Sequence, residues 1–182
     1  MLTELGCLVC HSDDLARGAL ADPAIRDELV RWWGAGIVDA SGAIDRRAVA
    51  LRVFADPAER KRLESLVHPW IEAARRRMFA AAPAGTRALV IDAPLLLEVG
   101  LDRECDAVIF VESPRADRLR RLVETRGWDS AELDRREAAQ WPLDRKRAAA
   151  HHVVINAGDL PALRSEVHKA LEAAERMFRA AH

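Results

Sequence analysis

Long apolar runs are missing from these 182 residues. None approaches the roughly 18 residues from which a membrane-spanning helix is built. The opening Met1-Leu2-Thr3-Glu4 lacks the basic start and apolar core of an export signal, so a cytoplasmic protein is expected. Net charge is also scarce. With 28 Lys and Arg against 29 Asp and Glu the balance is −1, which leaves no global basic field for nucleic acid and makes any anion site local. Cysteine is scarcer still: Cys7, Cys10 and Cys105 are an odd number, which in a reducing compartment argues against a disulfide framework and suits small buried apolar residues.

The remaining composition is that of a globular domain. Half of the residues are hydrophobic and 31% are charged, and the length suits one domain with an insertion. Four short apolar runs read as strands buried on both faces of a parallel sheet: Cys7 to Cys10, Ala88 to Ile91, Ala107 to Val111 and Val153 to Ile155. Helical periodicity fills the intervals. Helices are predicted over 45–54, where Ile44, Val49, Leu51, Val53 and Phe54 lie among arginines, and over 57–67, with Pro69 opening another that ends at Pro83-Ala84-Gly85. Ser113-Pro114 reads as an N-cap followed by proline at the first helical position, with a stop at Gly127. Asp129 and Glu132 have capping-box spacing, and Asp159 with Pro161 starts a final amphipathic helix. Strands alternating with helices predict an α/β fold with a doubly wound, mostly parallel sheet, into which residues 22–82 are inserted as a helical subdomain.

Two readings compete at residues 7–14, Cys7-Leu8-Val9-Cys10-His11-Ser12-Asp13-Asp14. C-x-x-C-H is the pattern of covalent haem attachment. The same residues can close a buried strand whose tip presents Asp13 and Asp14 to a ligand. Met78 and Met177 are the only methionines past the start, and neither is marked as an axial ligand, which favours the strand.

Taken in order, "LGCLVCHSDDLAR", "IDRRAVALRVFADP", "LESLVHPWI", "VIDAPLLLEVGL", "DAVIFVESP", "RLRRLVETRG", "AAQWP" and "VVINAGDL" resemble the dephospho-CoA kinase family. The resemblance implies a single P-loop kinase-like domain over 1–182, a helical CoA-side subdomain over 22–82 and a lid over 114–148. It implies transfer of the ATP γ-phosphoryl group to the 3′-hydroxyl of dephospho-CoA, the last step of coenzyme A biosynthesis, with Mg²⁺ as the metal. By the same resemblance Asp13 is the candidate catalytic carboxylate, accepting or orienting the acceptor hydroxyl. Asp92, after the run Ala88–Ile91, is a candidate Mg²⁺ ligand. Arg121 and Arg126 fall on family arginines at the nucleotide, and Asn156 with Gly158 falls on a turn near the adenine. Arg46, Arg47 and His68 fall on the acceptor side. Each has a plainer alternative: Asp13 as a charge on a helix N-terminus, Asp92 and Asn156-Ala157-Gly158 as ordinary turns, His68 as a structural residue before proline, and the arginines as solvated surface.

Three departures accompany the resemblance. The pattern G-x-x-x-x-G-K-[ST], whose backbone amides and lysine hold phosphates, does not occur, and the family's opening strand and loop are expected to be missing. The first acid of the family's Asp-x-Asp is His11, and the acid before the last strand is His151. These departures leave open a second expectation, an inactive fragment or a scaffold that binds CoA ligands. Oligomeric state is not legible in the sequence.

Overall fold

The computed structural model describes residues 1–181. The chain divides into two compact units, one of Leu8–Ala93 and the other of Met1–Cys7 with the chain from Pro94 onward.

In the first unit, β1 (Leu8–His11) pairs in parallel with β2 (Leu89–Asp92), in the register Leu8 to Leu89 through His11 to Asp92. The four helices between them are α1 (Ser12–Ala21), α2 (Pro23–Trp33), α3 (Arg46–Ala55) and α4 (Pro57–Ala80). Aspartate starts three of them. Asp22 accepts from the amides of Ala24 and Ile25, Asp45 from those of Arg47 and Ala48, and Asp56 from that of Ala58, with Pro23 and Pro57 occupying first-turn positions where no amide is needed. The helices close over Ala19, Ile25, Leu29, Trp33, Ile37, Ile44 and Val49, all buried. Trp33 donates its indole N–H to Glu59 at 2.6 Å and Trp70 donates to Asp22 at 2.9 Å, so both rings pack without stranding a polar atom.

Two details differ from the sequence expectation. Instead of two helices meeting at His68-Pro69, α4 is one helix of 24 residues with Pro69 inside it. Leu63, Leu66 and Val67 before the proline and Trp70 and Ile71 after it pack on the same core, and that burial outweighs the roughly 3 kcal/mol that an interior proline costs. In α3 Val49 is buried and Ala48 and Val53 pack partly buried against the core, whereas Leu51 and Phe54 are largely exposed.

In the second unit, β3 (Ile109–Glu112) pairs in parallel with β4 (His152–Ile155). Around them run α5 (Arg115–Arg126), α6 (Ser130–Ala138), α7 (Leu143–Ala149) and α8 (Leu160–Ala181). Gly127 ends α5 in the left-handed conformation, φ 65°, where a side chain would be strained. Asp129 caps α6 by accepting from the Glu132 amide, as the spacing predicts. The N-cap position of α5 is Pro114 and carries no side-chain hydrogen bond, so Ser113 is released from the capping role expected of it. The helix α7 was not expected. β4 packs against α8, which buries Ala170 and Leu171. The strands are less enclosed than their composition suggests: Leu89, Val111 and Ile155 remain half exposed, because each strand is paired on one side within a two-stranded sheet.

Candidate functional site

Parallel strands place their carboxyl ends together, and in open α/β folds those ends are where ligands bind. In the Leu8–Ala93 unit the register puts the last residue of β1, His11, opposite the last residue of β2, Asp92. His11 Nδ1 stands 2.8 Å from Asp92 Oδ2, and both side chains are exposed. Asp13 lies two residues on, exposed in the first turn of α1, where the helix dipole favours a carboxylate. Its neighbour Asp14 is engaged by Arg17. Cys10 is buried one residue before His11, and its burial raises the thiol pKa despite the lowering effect of Arg75. With the thiol enclosed in the strand and the imidazole joined to Asp92, the strand reading of C-x-x-C-H fits and the haem reading does not.

Arg46 and Arg47 occupy the first two positions of α3, exposed, with no ion pair to either among the described residues. His68 is exposed in the middle of α4, so Pro69 does not make it a helix-start residue.

In the other unit the equivalent strand ends, Glu112 and Ile155, are partners in register. The residues just beyond them, Ser113 and Asn156, form a small network with α5. Arg121 donates to Ser113 Oγ at 3.2 Å and to Asn156 Oδ1 at 3.1 Å, while Ser113 donates to the Asn156 carbonyl at 2.9 Å. The Asn156 amide donates to Glu112 O at 2.7 Å, which fixes the turn to β3. Arg121 and Asn156, far apart in sequence, are thus brought together through Ser113. Arg126 is elsewhere on α5, exposed at its end, with its guanidinium 5.0 Å from the Trp128 ring. Gly158 is not conformationally required: its φ is ordinary, and an added Cβ would meet Ala162 Cβ at 3.5 Å, a normal contact.

His151, the second replaced acid, has a backbone task. Its Nδ1 accepts from the Val108 amide at 3.0 Å, and its own amide donates to Val108 O at 2.9 Å. That geometry keeps the ring proton on Nε2.

Sequence reasoning missed a buried charged node in the same unit. Lys146, 7% exposed, donates to Pro94 O at 2.7 Å and Gln140 Oε1 at 2.8 Å, and pairs with Glu98 Oε1 at 2.8 Å. The Trp141 amide also donates to Glu98 Oε1, at 2.8 Å. Burial alone would raise the Glu98 carboxyl, but the hydrogen bonds from Lys146 and Trp141 hold it below its ordinary value. The available signal was Glu98 itself, a lone acid in the apolar run Pro94-Leu95-Leu96-Leu97-Glu98-Val99. Ser113 carried none, since Ser before Pro is a common helix opening.

Among the described residues no three His, Cys, Asp or Glu side chains cluster as a metal cage. Nor, among the described residues, is any helix long and apolar enough to cross a membrane.

The family model described as dephospho-CoA kinase matches residues 1–162. A dephospho-CoA kinase of Anaeromyxobacter dehalogenans is 42% identical, over 94% of this chain and 82% of the relative. One of Syntrophotalea carbinolica is 38% identical, over 92% and 80%. Among solved structures, TT1252 from Thermus thermophilus aligns with a TM-score of 0.83 at 33% identity, covering 94% of this chain and 86% of that one. A Campylobacter jejuni dephospho-CoA kinase, 20% identical, aligns at 0.67 over 96% and 88% and supports the α/β P-loop kinase-like fold.

Proposed function

Because the chain belongs to the dephospho-CoA kinase family, we propose that it transfers the γ-phosphoryl group of ATP to the 3′-hydroxyl of dephospho-CoA, acting in the cytoplasm, where its three free thiols stay reduced. The observation that carries this reading is the pairing of Arg121 with Asn156 just past the carboxyl ends of β3 and β4, where a guanidinium and a side-chain amide are pre-positioned for one anionic, base-bearing ligand.

In-line phosphoryl transfer needs little covalent help from a protein. Positioning and charge stabilisation carry most of it. Asp13 is assigned the acceptor hydroxyl, either taking its proton or aiming its lone pair at phosphorus. Arg121 neutralises charge on the transferring group, and Asn156 and Gly158 lie against the base. Arg126 is the weaker nucleotide contact, being committed to Trp128 in this state. Arg46, Arg47 and His68, exposed on α3 and α4, are assigned to the acceptor, with residues 22–82 as its subdomain and 114–148 as the lid. Mg²⁺ takes one or two carboxylates and completes its shell with water and phosphate oxygens, so the single strand-end carboxylate of Asp92 fits it without a protein cage. The ion would supply charge neutralisation at the phosphates.

The test is ADP formation from ATP that depends on dephospho-CoA, with the product mass confirming one added phosphoryl group. Asp13→Asn should lower kcat about 100-fold or more if the carboxylate takes the proton. The 182 residues contain no G-x-x-x-x-G-K-[ST], so the assay is run on this chain and on the same chain carrying its in-frame upstream coding sequence. No dephospho-CoA-dependent turnover from either would refute the proposal. The alternative reading is a scaffold for CoA ligands. Calorimetric binding of dephospho-CoA without any binding of ATP would support it.

A further inference from the structure

His11 occupies a position where the family resemblance calls for an acid, and its side chain is neither buried nor idle. It is held in register opposite Asp92 at the ends of two hydrogen-bonded parallel strands, with Nδ1 and Oδ2 2.8 Å apart and the side chains 54% and 64% exposed. Adjacent donor atoms around a six-coordinate divalent cation with bonds of about 2.1 Å stand roughly 3.0 Å apart. The two donor atoms are therefore close enough to become neighbouring ligands of one cation, which sits off the line between them once the exposed imidazole and carboxylate turn away from each other, with no movement of either strand required. An aspartate at this position would offer a second hard oxygen, whereas imidazole nitrogen is a poor match for Mg²⁺ and is accepted by first-row transition ions.

We propose that His11 is a metal ligand beside Asp92, giving this chain a cation site of one imidazole and one carboxylate that favours Mn²⁺ and its softer neighbours relative to Mg²⁺. The inference rests on the reading of Asp92 as a cation-binding residue and adds the identity of the second donor and its effect on metal preference. Phosphate oxygens and water complete the shell.

The experiment is Mn²⁺ binding to the whole chain, alone and with ADP, followed by loss of the free-ion electron paramagnetic resonance signal, with pulsed measurements reading nitrogen coupling to the bound ion. Histidine labelled with ¹⁵N identifies the source of that coupling. Bound Mn²⁺ should show a histidine nitrogen in the wild type and lose it in His11→Ala and His11→Asp. The Mn²⁺-over-Mg²⁺ affinity ratio, measured by competition, should fall about tenfold in His11→Asp. Circular dichroism verifies that these strand-end variants fold. Bound Mn²⁺ without histidine coupling in the wild type, or an unchanged ratio in His11→Asp, overturns the role of His11. If Asp92→Asn leaves Mn²⁺ binding unchanged, or the wild type binds none, the Asp92 reading fails as well; loss of binding in Asp92→Asn with no effect of His11→Ala sinks His11 alone.

Discussion

Lys146→Met should unfold the protein more easily than any surface change. The ammonium donates to Pro94 O and Gln140 Oε1 and pairs with Glu98 Oε1, three acceptors for three protons. Methionine keeps the length and volume but donates to none of them. Glu98 would then keep the Trp141 amide on Oε1 without a cation, and among the described residues its Oε2 has no partner even in the wild type. Removing one member of a buried ion pair costs about 3–5 kcal/mol, since the remaining charge stays desolvated. The Glu98 side chain is 14% exposed, so some water reaches it and the lower end, about 3 kcal/mol, is expected. For a chain of this size that lowers Tm by roughly 6–12 °C.

The control is a double-mutant cycle measured by urea and thermal melts at pH 7.5. Glu98→Leu alone strands the Lys146 charge. Combined with Lys146→Met it replaces the pair by apolar groups of similar shape, and most of the loss should return, with a coupling of at least about 1.5 kcal/mol. A Lys146→Met protein within about 0.5 kcal/mol of wild type, or additivity of the two changes, would show that Lys146 and Glu98 are not a coupled buried pair.

Acid should act on the same node. The folded-state Glu98 carboxyl sits below its ordinary value of 4.5, so the stability it contributes is complete above that pH and is lost as pH falls from there through the depressed folded value. The Glu98→Leu/Lys146→Met protein should lack that component, which melts between pH 6 and 3 would read as a shallower decline. Ser113→Ala removes the hydroxyl bridging Arg121 and Asn156. At about 1 kcal/mol per lost hydrogen bond, KM for ATP should rise roughly fivefold with a smaller change in kcat, and Ser113→Thr should restore it. Unchanged KM would show that the network does not orient the nucleotide groups. Leu29→Ala, at a fully buried position in the helical core, should cost about 3 kcal/mol in denaturant unfolding without altering the ratio of ATP to dephospho-CoA affinity. A shift in that ratio would tie the core packing to the acceptor side.

Local chemistry was legible where one residue type decides the outcome. Asp129 starts α6 because its carboxylate can accept from the Glu132 amide, the capping spacing present in the sequence. Gly127 stops α5 because the left-handed turn there excludes a side chain at little cost only for glycine. What failed was decided at a distance. Pro69 reads as a helix boundary in isolation, yet residues on both sides of it face the same core, and tertiary burial overrides the local break. Leu51 and Phe54 match helical spacing, but no other described element covers that side of α3 closely enough to bury them. Lys146 lies in a run of charges, Asp144-Arg145-Lys146-Arg147, whose pattern gives no hint of which one turns inward.

The two histidines in place of expected acids show why residue identity stops short of function. In sequence His11 and His151 are the same departure, an acid lost at a family position. In the fold they separate. His151 spends Nδ1 on the Val108 amide at the edge of β3, a bond that neutral imidazole can make and that holds backbone against backbone. Its replacement by an acceptor of similar reach should therefore matter mainly to local stability. His11 faces outward at a strand end, and its partner is the carboxylate proposed to meet the cation, so any change there alters the donor set. Counting both as decay of an active site merges a structural hydrogen bond with a change of metal preference. If His151→Ala destabilises the fold while Mn²⁺ binding and its nitrogen signature persist, and His11→Ala does the reverse, the two substitutions have separate physical meanings.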